Sequence, residues 1–264
     1  MSRFVLMCAA ASLLVAGAAN AAYLCVDDID SAVPGPIHLQ NTGVGPWCGP
    51  WASDVDNNRN YMNAMPDPHE PEGPDDMAIV GWGMDSKTLW RCVTNECNPG
   101  DDGCRYCLWC FDAHVEPGAI ASDVNIKATV DGATKIQIEL LTNGSIKVRC
   151  PGDPVVGYWD GTDPDTDFTS CYARVCMVID QAANTCELVV NGKSLGGVLP
   201  FRNALDWPNQ GLNDWRWYRM KTGTNQMADG WMSLDNFSFE CFPEPASLVL
   251  LALGSVFCLR RRRS

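Results

Sequence analysis

Apolar and polar side chains alternate one for one through the middle of the chain. Val124-Asn125-Ile126-Lys127-Ala128-Thr129-Val130 reads in this way, and so does Lys135-Ile136-Gln137-Ile138-Glu139-Leu140. A period of two puts successive side chains on opposite faces, so each run predicts a strand with one face on a core. Asn143-Gly144 supplies a tight hairpin turn, and Ile146-Lys147-Val148-Arg149 returns. The same grammar recurs over 174–180, the loop 181–185 and 186–190. Asn191-Gly192 then turns the chain again, and 234–240 predicts a last strand. Long amphipathic helices are absent. Many short strands at this spacing predict a mostly β fold, a jelly-roll-type β-sandwich.

Before about residue 120 the pattern is broken by turn formers: Pro34-Gly35-Pro36, Pro66-Asp67-Pro68 and Pro71-Glu72-Gly73-Pro74. That region predicts loops with short strands, such as one over 77–82. Its second half holds Cys104, Cys107 and Cys110, with Cys92 and Cys97 upstream and His114 downstream. Closely spaced thiolates with an imidazole suit a tetrahedral zinc site. In an exported chain the same spacing suits a knot of disulfides.

The two ends predict export. Met1-Ser2-Arg3, an apolar run over 4–16, Gly17 and Ala19-Asn20-Ala21 form a secretion signal cleaved after Ala21. The run is too short to span roughly 30 Å of hydrocarbon. At the other end, Pro243-Glu244-Pro245 leads into an uncharged apolar stretch over 246–259, then Arg260, Arg261, Arg262 and Arg263. These arginines favour the cytoplasmic side of a membrane, so a hydrophobic C-terminal helix should halt there during export. The triplet, the apolar stretch and the arginine cluster together resemble the PEP-CTERM sorting signal of bacterial surface proteins. The resemblance covers 243–264. It implies recognition of Pro243, Glu244 and Pro245 by an exosortase, a transient membrane anchor, and association with exopolysaccharide at the cell surface or in a biofilm matrix. The expected organisation is a signal peptide over 1–21, an exported body over 22–242 and the sorting segment over 243–264.

Charge follows from that division. The 264 residues carry 19 basic and 32 acidic side chains, a net charge of −13. Without Arg3, the four terminal arginines and Glu244, the body holds 14 basic and 31 acidic groups, a net −17. Such a surface disfavours nucleic acid as a partner. Of 14 cysteines, Cys8 and Cys258 leave with the ends. The remaining twelve are Cys25, Cys48, Cys92, Cys97, Cys104, Cys107, Cys110, Cys150, Cys171, Cys176, Cys186 and Cys241. Their even number suits a disulfide framework whose connectivity stays open.

A second resemblance lies in the strands. The hairpin over 129–149, the Val189-Val190-Asn191-Gly192-Lys193 turn, and Trp231-Met232-Ser233-Leu234-Asp235-Asn236-Phe237-Ser238-Phe239 are similar to concanavalin A-like, or LamG-like, domains. The resemblance spans 110–241. It implies glycan or protein binding, sometimes with calcium, and in a minority of members glycoside hydrolysis. The residues offer three candidate sites. Trp207, Trp215, Trp217 and Trp231 crowd one stretch and suit either a sugar-stacking platform or core packing. Asp160, Asp163, Asp165 and Asp167 alternate in one loop and suit either a calcium ion or a solvated acidic turn. Gly192-Lys193-Ser194-Leu195-Gly196 matches a nucleophile elbow literally, yet follows a hairpin and has every histidine upstream, which argues against it. No glutamate pattern supplies the carboxyl pair of a glycosidase. The sequence therefore predicts a non-catalytic surface module binding extracellular polysaccharide. A structural or protein-binding module and a secreted hydrolase are the alternatives.

Overall fold

The computed structural model describes residues 23–27, 29–36, 39–45, 47, 49–53, 62–66, 77–81, 87–92, 105–115, 122–127, 132–141, 143–149, 151, 155–159, 162–163, 167–169, 172–219 and 232–242. The secretion and sorting segments, and the helices expected in them, lie outside these. Among the described residues no helix is long and apolar enough to cross a membrane.

Among the described residues, sixteen strands build two antiparallel sheets. In chain order they are β1 (Tyr23–Asp27), β2 (Gly35–Pro36), β3 (Ala52–Ser53), β4 (Met62–Pro66), β5 (Met77–Gly81), β6 (Lys87–Cys92), β7 (Tyr106–Val115) and β8 (Ser122–Lys127). There follow β9 (Thr134–Leu140), β10 (Ile146–Arg149), β11 (Val155–Trp159), β12 (Ala173–Asp180), β13 (Thr185–Val190), β14 (Lys193–Pro200), β15 (Asp214–Arg219) and β16 (Met232–Phe242). The larger sheet runs β14-β13-β12-β7-β16-β5-β4-β2, with β1 beside the second half of β16. The smaller runs β11-β10-β9-β8-β15-β6-β3. This is a β-sandwich, as the alternating runs predict.

The strands expected over 174–180, 186–190 and 234–240 are β12, β13 and β16; the first two are one residue longer, and β16 extends two residues further at each end. The run over 124–130 is β8 as far as Lys127, with a bulge between Ile126 and Lys127; positions 128–130 lie outside the described residues. Asn191 and Gly192 both take positive φ, 48° and 79°, the geometry that lets a two-residue turn follow the strand twist.

The region before residue 120 is more strand-rich than its prolines suggest. It supplies seven strands, and β7 is the ten-residue centre of the larger sheet, paired along β12 on one side and β16 on the other. Its sequence, YCLWCFDAHV, is apolar in both alternating sets, so no clean period marks it. Cys107, Trp109 and Phe111 face the core. Leu108 and Cys110 face outward. Residues three apart on a strand point to opposite sides, so Cys107 and Cys110 cannot bind one ion. Cys110 is instead joined to its register neighbour Cys176 on β12. Among the described residues no group of three or more His, Cys, Asp or Glu side chains is placed to hold a metal.

The other expected disulfide cysteines divide in two. Cys92 and Cys107 carry thiols here, and Cys25, Cys186 and Cys241 lie in or beside the core. Cys48, Cys97, Cys104, Cys150 and Cys171 lie outside the described residues.

Between the sheets, Trp109, Phe111, Met177, Ile179 and Phe239 meet Ile138, Leu140, Val148, Trp215 and Trp217 in one apolar core. Trp51, Trp215 and Phe237 cluster with ring centroids 4.9–5.9 Å apart, Trp51 and Trp215 edge to face. Among the described residues the core also encloses an ion pair. Arg91 reaches Asp27 and donates to the carbonyl of Thr42 at 2.6 Å. Its guanidinium lies between the indoles of Trp47 and Trp51, at 4.5 and 5.2 Å. Asp27 further accepts from Thr42 at 2.8 Å and Trp51 at 2.9 Å. Burial pushes the Asp27 carboxyl up, against the downward pull of Arg91 and these donors.

Candidate functional site

The predicted tryptophan platform does not form. Trp215 and Trp217 occupy the inner-facing positions of β15, opposite Ile126 and Val124, and are 2% and 0% exposed. Their register puts both against the larger sheet, where no sugar can reach them. Trp207 is half-buried in the connection between β14 and β15, and Trp231 lies outside the described residues. The acidic loop is equally divided. Asp163 pairs with Lys193, and Asp167 accepts from the backbone and hydroxyl of Thr169 at 2.8 and 2.7 Å. Asp160 and Asp165 lie outside the described residues. Ser194 is the second residue of β14, just after a hairpin turn, and bonds Glu187, so the elbow motif has no strand-to-helix turn around it.

A different site emerges on the outer face of the smaller sheet. Each inner residue of β8, β9, β10 and β15 has a polar neighbour in the alternating position, and the register brings these neighbours together. Arg149 stands opposite Gln137, Gln137 opposite Asn125, Asn125 opposite Arg216, and Arg216 opposite Trp90. Five strands about 4.8 Å apart make this one straight rung of about 19 Å. It reads cation, amide, amide, cation, indole.

Neighbours hold the rung in shape. Arg149 is ion-paired with Glu139, the next outward residue along β9. The Arg202 guanidinium, from the connection after β14, donates to the side-chain Oε1 of Gln137. The same connection is fixed to β9 by Arg202 N–H to the Lys135 carbonyl at 2.7 Å and by Lys135 Nζ to the Ala204 carbonyl at 2.8 Å. Arg216 is anchored to Asp214 at 2.7–2.8 Å, and its guanidinium lies 5.6 Å from the Trp90 ring. Asn125, Gln137 and Glu139 are only 5–7% exposed although they point away from the core. Arg149 and Arg216 keep about 30% of their side-chain surface open. The result is a pre-positioned row of donors and acceptors, with an indole at one end, suited to a ligand rich in oxygen.

The alternation of Asn125, Gln137 and Arg216 with apolar residues was visible in the sequence as outward polarity. Their adjacency was not, because β8, β9, β15 and β6 are brought side by side only by sheet pairing.

Comparison with known proteins agrees on architecture. No family model matches the chain, and no curated protein matches it. Among solved structures, a sialidase is similar over 83% of this chain and 18% of its own, at 10% identity and a TM-score of 0.51. A structure of botulinum neurotoxin type C, described through its interaction with two ganglioside molecules, matches over 86% of this chain and 52% of its own (11% identity, TM-score 0.47). The binding domain of botulinum neurotoxin DC, in complex with rat synaptotagmin II, matches over 85% and 51% (11% identity, TM-score 0.45). The chain spans less than a fifth of the sialidase and about half of the toxin chains. At 10% identity the likeness to the sialidase is one of fold, and the fold it supports is the β-sandwich.

Proposed function

We propose that this chain is a non-catalytic, glycan-binding module of a bacterial surface or extracellular matrix. The observation that carries the reading is the outward rung Arg149–Gln137–Asn125–Arg216–Trp90. The partly open guanidinium groups of Arg149 and Arg216 in a fixed row complement sugar hydroxyls, and a half-buried indole offers an apolar face to a pyranose ring. The carboxylates described on this face, Glu139 and Asp214, each hold an arginine in place, a positioning role. Export through the N-terminal signal, sorting by an exosortase at Pro243-Glu244-Pro245 and retention near extracellular polysaccharide belong to this proposal and rest on the sequence pattern.

The test is a glycan array probed with the purified protein, with and without calcium. Binding that disappears in Trp90→Ala and Arg216→Ala supports the reading. Absence of binding to any glycan sinks it and favours a structural or protein-binding module. Reducing-sugar release would point to a hydrolase. Mass spectrometry of surface material should show loss of Arg260, Arg261, Arg262 and Arg263; an intact tail would count against sorting.

A further inference from the structure

The two outer faces of the sandwich differ in charge. On the larger sheet, Asp112, Asp180, Glu187, Asp235 and Glu240 stand on outward positions, against Arg105 and Arg174 among the described side chains. On the smaller sheet the balance reverses. Among the described side chains, Lys147, Arg149, Arg202 and Arg216 face outward around the rung, against Glu139 and Asp214. A body of net −17 thus carries a locally cationic strip where its polar side chains are most ordered.

We infer that the rung takes an acidic saccharide, one bearing carboxylates along an extended chain, and not a neutral one. This deepens the glycan-binding reading and rests on it. Charge complementarity is the first argument. A polyanion is repelled by most of this surface and attracted by one strip, so electrostatics alone would select both the face and the ligand class. The spacing is the second. Arg149 and Arg216 stand three strand intervals apart, about 14 Å, with Gln137 and Asn125 between them. Guanidinium groups match carboxylates in a fork geometry, and each keeps about 30% of its side-chain surface open. Glu139 and Asp214 then act as orienting groups, since a tethered guanidinium loses less freedom when it binds.

The probes are polygalacturonate, alginate and hyaluronan, each beside its carboxyl-reduced, neutral counterpart. They are titrated against the purified full chain by calorimetry at low and moderate salt. The expected result is binding to at least one polyuronate that weakens roughly tenfold on carboxyl reduction and again on raising salt. Arg149→Gln and Arg216→Gln should each weaken it roughly tenfold, while Arg174→Gln on the opposite face leaves it unchanged. Circular dichroism and thermal melting of each variant separate lost binding from lost fold. Equal affinity for acidic and neutral forms overturns the charge assignment but leaves glycan binding standing. Failure to bind any acidic or neutral form overturns both. Acid-selective binding that survives both arginine substitutions in folded protein overturns the assignment to this rung.

Discussion

Cys107 and Cys241 face each other across β7 and β16 in register, with their sulfurs 3.2 Å apart inside the core. The Gln181 amide donates to Cys107 at 3.1 Å, and its carbonyl oxygen accepts from Leu212 N–H at 2.8 Å, so the thiol is held in place. Opposed cysteines on neighbouring strands lie within bridging reach. In an oxidising compartment the pair is expected to lose two protons and two electrons to a disulfide-donating thiol oxidase and close a disulfide. With Cys110–Cys176, β7 would then be tied to both neighbours. Peptide mapping under non-reducing conditions should recover a Cys107–Cys241 linked fragment. Cys107→Ser should cost about 2–4 kcal/mol relative to the oxidised protein.

The Asp27–Arg91 pair predicts a pH-dependent defect. Arg91→Met leaves the buried carboxylate without its cation and should cost about 3–5 kcal/mol at neutral pH. Burial raises the Asp27 carboxyl, and without Arg91 that push loses its largest opponent. A carboxyl raised in the fold contributes its stability below the unfolded value of about 3.9 and loses it as pH rises through the folded one. The deficit of the variant relative to wild type should therefore shrink at pH 4, as measured by urea denaturation at both pH values.

Asp180 predicts the opposite sign. Arg105 donates to both its oxygens at 2.8 Å, and this bonding, opposed by partial burial, holds the carboxyl below its usual range. Asp180→Asn should cost only about 0.5–1 kcal/mol, since the pair is partly exposed. The cost should be present above about pH 4 and vanish as pH falls through the lowered value. Denaturation midpoints of the two proteins should converge in acid.

Gly43 is constrained by contact. It takes φ of 76°, and a Cβ there would collide with the Val26 carbonyl and stand 2.7 Å from the Asp27 Cβ. Gly43→Ala should cost about 2–3 kcal/mol by combining backbone strain with overpacking. Calorimetric melting measures it directly.

Two tryptophans should separate stability from binding. Trp215→Ala removes a core indole and should cost about 3–5 kcal/mol. Trp90→Ala should cost about 1 kcal/mol or less while weakening glycan binding roughly tenfold. Parallel melting and array measurements distinguish them.

Much of this protein was legible in its sequence. The alternation at Lys135-Ile136-Gln137-Ile138-Glu139-Leu140, the Asn-Gly turns and the spacing of the runs determined strands, hairpins and a two-sheet architecture, because a strand's period of two is a local property. The same alternation marked Gln137 and Asn125 as outward. The tertiary structure decided the rest. Trp215 and Trp217 read as either platform or core until pairing of β15 with β6 and β8 turned them inward. β7, apolar on both sides, became recognisable only as the centre of a covered sheet. Arg149, Gln137, Asn125, Arg216 and Trp90 lie on five strands drawn from distant parts of the chain, and lateral register, set by burial of their inner neighbours against the opposing sheet, is what aligns them into one site.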